Sequence, residues 1–488
     1  MQRIKDAKVK IKGARFTVVG LLVLGLFLGL VPDLASAGTL KATPRVKIKY
    51  TYNDNFYADD LDQLDDLDRD PATASYLTYL VGLQLDYYEG RHTFSVRGDA
   101  GYEQWISLDG YVTDLKDDDP NEYSAMSLAA TAEYMYVGNA FTFELGDDIR
   151  ISRDLGEVFG AGTDAVGYWS LYTNNTIRAG VRFRPSGKSN ILLRYSYNTL
   201  TFEDPENDIR KPADSFQHDI TARGEYNFST KTVGIIDLKA IMATFEEVDN
   251  RKNANYDLYM AMAGIRYHFS SYTYVQVLGG GAWRTFDDLS DQTLPLAWPA
   301  PYGGMEMYDL EDTTDWIADV KFYTARSQNY TLTIHGQKGV STYGQNMFFD
   351  YVSGSADFLY YFSPKVSAGV VGGYRQVTYD IDENGRDWLW DDMDRVDNIM
   401  HGTARVRWDI FQKGGQGTLT LEGGYSYMQR DSNVDDPEDY NPVYASFLPL
   451  IDTDGDLVGD YLYAPSFDTV TNIYYVQVTV LPSILIGD

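Results

Sequence analysis

The most specific chemical motif in this sequence is an acidic run with the spacing of a calcium-binding loop. Oxygen-bearing side chains stand at alternate positions, a glycine that permits a sharp turn follows, and a further carboxylate closes the run. Ca²⁺ takes six to eight oxygen ligands in a flexible geometry, which suits such a set. The residues are Asp380, Asp382, Asn384, Gly385 and Asp391. They predict a calcium site in a loop, and a solvated acidic loop without metal is the alternative.

A second acidic run lies near the N-terminus. Between Asp59 and Asp70 the chain carries seven aspartates interspersed with leucines. Such a segment can attract divalent ions that bridge to the phosphates of lipopolysaccharide, and a charged loop in water is the alternative. Lipopolysaccharide and outer-membrane lipid are therefore predicted partners.

A third set of candidates consists of basic side chains on the polar face of the predicted strands. A guanidinium group is planar and presents a fork of donors, so it suits anionic or polyhydroxylated solutes. The alternative is that the arginines pair with carboxylates of the same interior, and both arrangements can hold together. The predicted solute contacts are Arg178, Arg182, Arg184, Arg194, Arg405, Arg407 and His401. The carboxylates available for pairing are Glu144, Asp148, Asp219, Glu225, Asp409 and Glu422.

Nothing in the sequence points to covalent catalysis. The chain has five histidines and no cysteine, and no histidine lies near a G-x-S-x-G motif. There is no C-x-x-C-H motif for haem and no glycine-rich phosphate loop. We therefore expect no enzyme activity and no cofactor beyond the calcium ion. The net charge of −30 argues against nucleic acid as a partner.

The elements that must position these residues are β-strands. From Trp316 onwards apolar residues alternate with polar ones such as Asp319 and Lys321, and a period of two is typical of strands. A charge facing lipid at mid-bilayer costs roughly 2–4 kcal/mol, so charges kept on one face predict a polar lumen. The segment 256–269 is ambiguous, because Met260 and Met262 share a face with Arg266 and His268.

About eighteen such strands lie between residues 44 and 481. Short connections such as 186–188 alternate with long ones such as 288–312 and 431–466. This alternation predicts an all-β, transmembrane, antiparallel up-and-down β-barrel with long extracellular loops and short periplasmic turns. Eighteen strands suffice for an aqueous lumen. The 40 tyrosines match the aromatic belts of membrane interfaces.

The N-terminus has the organisation of a secretory signal peptide. A basic region precedes the apolar segment 18–31, and Ala35-Ser36-Ala37 resembles a cleavage site. An uncleaved membrane anchor is the alternative. We expect residues 1–37 to be a signal peptide and residues 38–488 to form one barrel domain. The predicted location is the outer membrane of a Gram-negative cell, with the barrel-assembly machinery as a partner.

The stretch 43–56, TPRVKIKYTYNDNF, resembles the first strand of a group of outer-membrane barrels tied to exopolysaccharide or exosortase loci. In architecture the chain is similar to polysaccharide-export barrels such as the alginate exporter. The resemblance implies an exit conduit for an exopolysaccharide, served by a periplasmic or inner-membrane export component. A general or substrate-selective diffusion porin, or the porin sheath of an electron conduit, is the alternative. We expect the last strand to stop near Pro482, followed by a tail to Asp488.

Overall fold

The chain folds as a series of strands in a computed structural model. The structure describes residues 38–54, 73–109, 125–152, 172–202, 214–246, 255–287, 312–327, 329–341, 349–379, 396–413, 416–432, 450–451, 461–462, 469–481 and 484–486. The predicted signal peptide and the calcium-loop residues Asp380, Asp382, Asn384 and Asp391 lie outside these ranges. So does the acidic run between Asp59 and Asp70.

The described residues form 21 strands. They are β1 (Thr39–Asn53), β2 (Thr73–Glu89), β3 (His92–Asp109), β4 (Ala125–Val137), β5 (Phe141–Ser152), β6 (Tyr172–Ser186), β7 (Ser189–Phe202), β8 (Ser215–Asn227), β9 (Thr232–Phe245), β10 (Tyr256–Ser270), β11 (Thr273–Phe286), β12 (Thr313–Ser327), β13 (Tyr330–Val340), β14 (Phe349–Ser363), β15 (Val366–Tyr379), β16 (Val396–Lys413), β17 (Gln416–Ser432), β18 (Leu450–Ile451), β19 (Tyr461–Leu462), β20 (Thr469–Val480) and β21 (Ile484–Ile486).

The strands close into a barrel. Each strand from β1 to β16 pairs antiparallel with the next, β17 pairs with β20, and β20 pairs with β1. The predicted closed antiparallel barrel of 18 strands is confirmed. Short and long connections alternate as expected. For example, the connection between β6 and β7 is short, and the connection between β5 and β6 is long. By the usual topology of such barrels the short turns are periplasmic and the long loops extracellular.

The closing seam adds a short strand that was not expected. β20 ends at Val480, as predicted, but the tail beyond it pairs again with β1 at Ile484–Ile486, opposite Ala42, Lys41 and Leu40. At the other end of the seam Asp54 accepts hydrogen bonds from the backbone N–H and the side-chain amide of Asn472, both at 2.7 Å.

The outward face is a continuous apolar band. Large side chains such as Val81, Leu145 and Val406 stand more than half exposed on it. Aromatic residues mark both edges, with Phe228 near the periplasmic turns and Trp316 near the extracellular ends. Such a band flanked by aromatic girdles is the surface that a barrel presents to lipid. The chain is an integral outer-membrane protein. Among the described residues no helix is long and apolar enough to cross a membrane.

The ambiguous strand β10 is resolved by its neighbours. Tyr259 and Ile265 are exposed on the outside, so Met260, Met262 and Arg266 face the lumen. Close by, inward residues of β9, β10, β11 and β12 belong to an apolar cluster that includes Ile241, Leu258, Ala282 and Ile317, each almost fully buried. The inner wall therefore has an apolar sector on β9 to β12 beside its charged ones. Alternation alone could not separate this sector from a lipid-facing stripe.

One charged residue lies on the outward face, among apolar side chains. Asp147 follows the outward-facing Leu145 by two positions and pairs in register with Ala132 and Ile177, which also face outward. The Asp147 side chain is exposed. Among the described strands, Asp147 is the charged residue that faces outward far from a strand end. A carboxylate at this level contacts hydrocarbon instead of water, which is unfavourable.

Asp147→Leu is expected to stabilise the barrel. Removing a lipid-facing carboxylate should raise the free energy of unfolding by about 1 kcal/mol, since acidic residues cost less in lipid than arginine or lysine. Urea unfolding in phospholipid vesicles measures this change. Asp148→Leu, one position away on the lumen face, is the matched control and should destabilise, because it removes the carboxylate that pairs with Arg178. Equal effects of the two variants would contradict the assignment of faces.

Candidate functional site in the barrel lumen

All seven predicted solute contacts face the lumen. The residues that alternate with them, such as Ile177, Leu193 and Val406, are exposed on the outer surface, which directs their neighbours inward. The seven do not form one cluster, however. Four lie on β6 and β7, namely Arg178, Arg182, Arg184 and Arg194, and three lie on β16, namely His401, Arg405 and Arg407.

The two groups stand on opposite walls of the lumen. Strands β6 and β16 are separated by eight pairings in one direction around the barrel and by ten in the other. Arg178 and Arg405 each lie eight residues from the periplasmic end of their strand, at Ser186 and Lys413, so they stand at similar depth. We call the two groups the β6–β7 arc and the β16 arc.

In the β6–β7 arc the arginines are stacked along the wall and partly neutralised. The register places Arg194 opposite Gly180, between Arg178 and Arg182. Arg178 contacts two carboxylates, Glu133 at 2.5 Å and Asp148 at 2.7 Å. Arg194 contacts Glu144 at 3.2 Å. Arg182 and Arg184 have no ion pair with any residue that the structure describes.

The β16 arc has fewer acid partners at its centre. Arg407 pairs with Asp409 at 3.0 Å, whereas Arg405 is exposed and has no ion pair within the described ranges. Glu422 accepts a hydrogen bond from the Tyr475 hydroxyl at 3.0 Å instead of pairing with an arginine. The Lys49 ammonium of β1 lies 4.9 Å from the centroid of the same tyrosine ring. The seam thus adds a lysine and a tyrosine to this arc.

The structure shows where each carboxylate named as a possible partner goes. Glu144, Asp148 and Asp409 do pair with arginines of the two arcs. Asp219 pairs instead with Lys239 at 2.9 Å, and Glu225 with Arg223 and Arg266. Pairing therefore accounts for Arg178, Arg194 and Arg407, and leaves Arg182, Arg184 and Arg405 facing the lumen.

A third charged network lies between the arcs on β8 to β13, and the sequence did not single it out. Arg266 donates to Gln276 at 2.9 Å, and Gln276 donates to Asp319 at 3.2 Å. Asp319 also contacts His335 at 2.6 Å. The inward positions of these residues follow from alternation, but their mutual contacts depend on the strand register, which the sequence does not show.

A cavity of about 290 Å³ adjoins the β6–β7 arc on the lumen wall. It combines basic, acidic and thioether side chains from four neighbouring strands. Its lining is Arg194, Ser196, Asp219, Thr221, Asp237, Lys239, Met260 and Met262. Such a wall offers weak polar and apolar contacts to a small solute. Nowhere in the described ranges do three or more potential metal-ligating side chains come together, and the calcium site at Asp380–Asp391 stays a prediction.

Comparison with known proteins gives structural likeness only. No family model matches the chain, and no curated protein matches it. Among solved structures, OccAB4 of Acinetobacter baumannii matches over 91% of this chain and 98% of its own, with 11% identity and a TM-score of 0.44. The outer membrane protein OpdK of Pseudomonas aeruginosa matches over 91% of this chain and 99% of its own, with 10% identity and a TM-score of 0.42. OprD of P. aeruginosa matches over 91% of this chain and 95% of its own, with 10% identity and a TM-score of 0.39.

Proposed function

We propose that this protein is a substrate-selective diffusion channel for small anionic solutes. The observation that carries the proposal is the pair of arginine arcs on opposite walls of the lumen. Arg182, Arg184 and Arg405 face the lumen without an ion pair among the described residues, so they supply positive charge where a solute must pass. A guanidinium fork binds carboxylate or sulfate through two parallel hydrogen bonds.

Carboxylates hold the paired arginines against the wall. Arg178 is fixed by Glu133 and Asp148, and Arg194 by Glu144, so the wall keeps its shape while a solute moves along it. Exposed ion pairs are worth only about 0–1 kcal/mol each. A solute can therefore exchange one arginine for the next at little cost, which favours rapid passage over tight binding. No covalent step is involved.

Reversing the charge of the two arcs tests this function. The double variant Arg182→Glu and Arg405→Glu is expected to shift the reversal potential in planar bilayers toward cations and to reduce the flux of small carboxylates at least threefold, since opposite charge in a narrow lumen repels them. The control is Arg91→Glu with Lys365→Glu, the same charge change on periplasmic turns. An unchanged reversal potential in the lumen variant would refute the proposal.

The exopolysaccharide exit conduit stays a separate prediction, supported by the resemblance of residues 43–56, most of which form β1. It requires a different result in the same bilayers. Anionic or neutral polysaccharide added on the periplasmic side should block the current, and small carboxylates should pass poorly. Steady conductance that neither polymer blocks leaves the diffusion channel and removes the conduit.

A further inference from the structure

The periplasmic end of this acidic protein carries exposed cations. Four of its short turns contribute one each: Arg91, Lys188, Lys231 and Lys365. Two of them, Lys188 and Lys231, line one cavity of about 840 Å³ between the turns after β6, β8 and β10. The other two lie on turns elsewhere around the rim. The cavity is separate from the lumen residues that carry the proposed function.

The backbone holds both lysines in place. The carbonyl of Lys188 accepts a hydrogen bond from the N–H of Asn227 at 2.8 Å, and the carbonyl of Lys231 accepts one from His268 at 2.7 Å. Ser229 Oγ accepts from the N–H groups of Lys231 and Thr232 at 3.1 and 3.0 Å. Each turn is thus tied to the next strand, and two ammonium groups project from a fixed base.

The same cavity has an aromatic side that faces the membrane. Phe228 and Phe269 line it and are 65% and 57% exposed on the outer surface. Each packs edge-on against an outward tyrosine, Tyr226 at 5.2 Å and Tyr267 at 5.1 Å between ring centroids. Aromatic side chains at this level sit among lipid headgroups. The cavity therefore spans the boundary between periplasmic water and hydrocarbon.

We propose that this cavity binds an anionic phospholipid of the periplasmic leaflet. The headgroup phosphate lies between Lys188 and Lys231, and the acyl chains run along Phe228 and Phe269. A basic pocket at the membrane surface selects anionic headgroups, and each lysine adds to that selection. A soluble anion would contact the lysines but not the two exposed phenylalanines. A lipid would contact both, which is why the lipid is the better occupant.

Lipid retention by the delipidated full-length protein tests the site. Native mass spectrometry should show one phosphatidylglycerol bound at concentrations where phosphatidylcholine is not. Lys188→Ala with Lys231→Ala is expected to weaken phosphatidylglycerol about tenfold or more. The matched control, Arg91→Ala with Lys365→Ala, removes the same charge from turns outside the cavity and should leave binding unchanged.

Two further results separate a lipid from a soluble anion. Phe269→Ala should weaken phosphatidylglycerol and should not alter any binding of inorganic phosphate. Inorganic phosphate bound as tightly as phosphatidylglycerol would overturn the lipid assignment. Equal loss of phosphatidylglycerol binding in the Lys188/Lys231 variant and in the control variant would show a general effect of positive charge at the periplasmic rim. That result would also overturn the proposed site.

Discussion

Gly280→Ala is expected to lower the free energy of unfolding by about 3 kcal/mol or more, enough to prevent most of the protein from reaching the folded barrel. A Cβ at this position would overlap the carbonyl oxygen of Ala261 on the neighbouring strand β10. Gly264 on β10 has the same relation to the carbonyl of Val277 on β11. The obstacle in both cases is backbone held in the ladder, which cannot rotate away as a side chain can.

The neighbouring position provides the control. Gly279 has no atom within 4 Å of an added Cβ, so Gly279→Ala should fold normally and differ little in stability. Heat-modifiable mobility on gels gives the folded fraction, and urea titration gives the free energy. Similar folded fractions for the two variants would show that β10 and β11 can separate to admit a side chain, contrary to this expectation. Glycine is needed here because the two backbones approach each other too closely to admit a Cβ.

The second large effect is expected at a buried ion pair near the extracellular end of the barrel. Arg430 donates to Asp397 through Nε at 2.9 Å and through Nη2 at closer range. Asp397 is 0% exposed and Arg430 is 8% exposed. Arg430→Met should therefore cost about 3–5 kcal/mol, because it removes a cation that contacts a buried carboxylate. Urea unfolding in lipid vesicles measures the loss.

Comparison with an exposed pair tests the cause. Arg407→Met breaks the pair with Asp409, but Arg407 is 45% exposed, so the cost should stay below about 1 kcal/mol. Adding Asp397→Leu to Arg430→Met should restore much of the stability, since the buried charge is then gone. If the double variant is no more stable than the single one, packing of the arginine stem and not charge explains the effect.

Local pattern was sufficient for the barrel because strand formation in a membrane is decided by local alternation. In β12 the apolar Trp316 and Val320 and the polar Asp319 each occupy the face that the sequence predicts. The short turns were equally readable from their glycine, serine and proline residues. The end of β20 at Val480 agrees with the local proline signal. The pairing of Ile484–Ile486 with β1 was not predicted, because it is a long-range interaction that no local pattern shows.

The arrangement of the site could be predicted only in part. Alternation placed all seven basic residues inside, but their division into two arcs depends on the circular order of strands. Arg178 and Arg405 are far apart in sequence, and nothing local shows that they face each other. The contacts of Lys49 with Tyr475 also arise only when the barrel closes. The apolar sector around Leu258 was missed for the opposite reason, because alternation cannot tell an apolar interior from lipid.

The seam between β1 and the last strand has a consequence for biogenesis. Asp54 and Asn472, which join across it, are 418 residues apart in the chain. Until β20 has been synthesised, β1 keeps an unpaired edge, and an open edge invites pairing with other chains. In hydrocarbon such an edge leaves backbone groups unsatisfied, so an incomplete barrel cannot remain inserted. Closure of the seam thus requires β20: a chain truncated before residue 469 would leave the edges of β1 and β17 open.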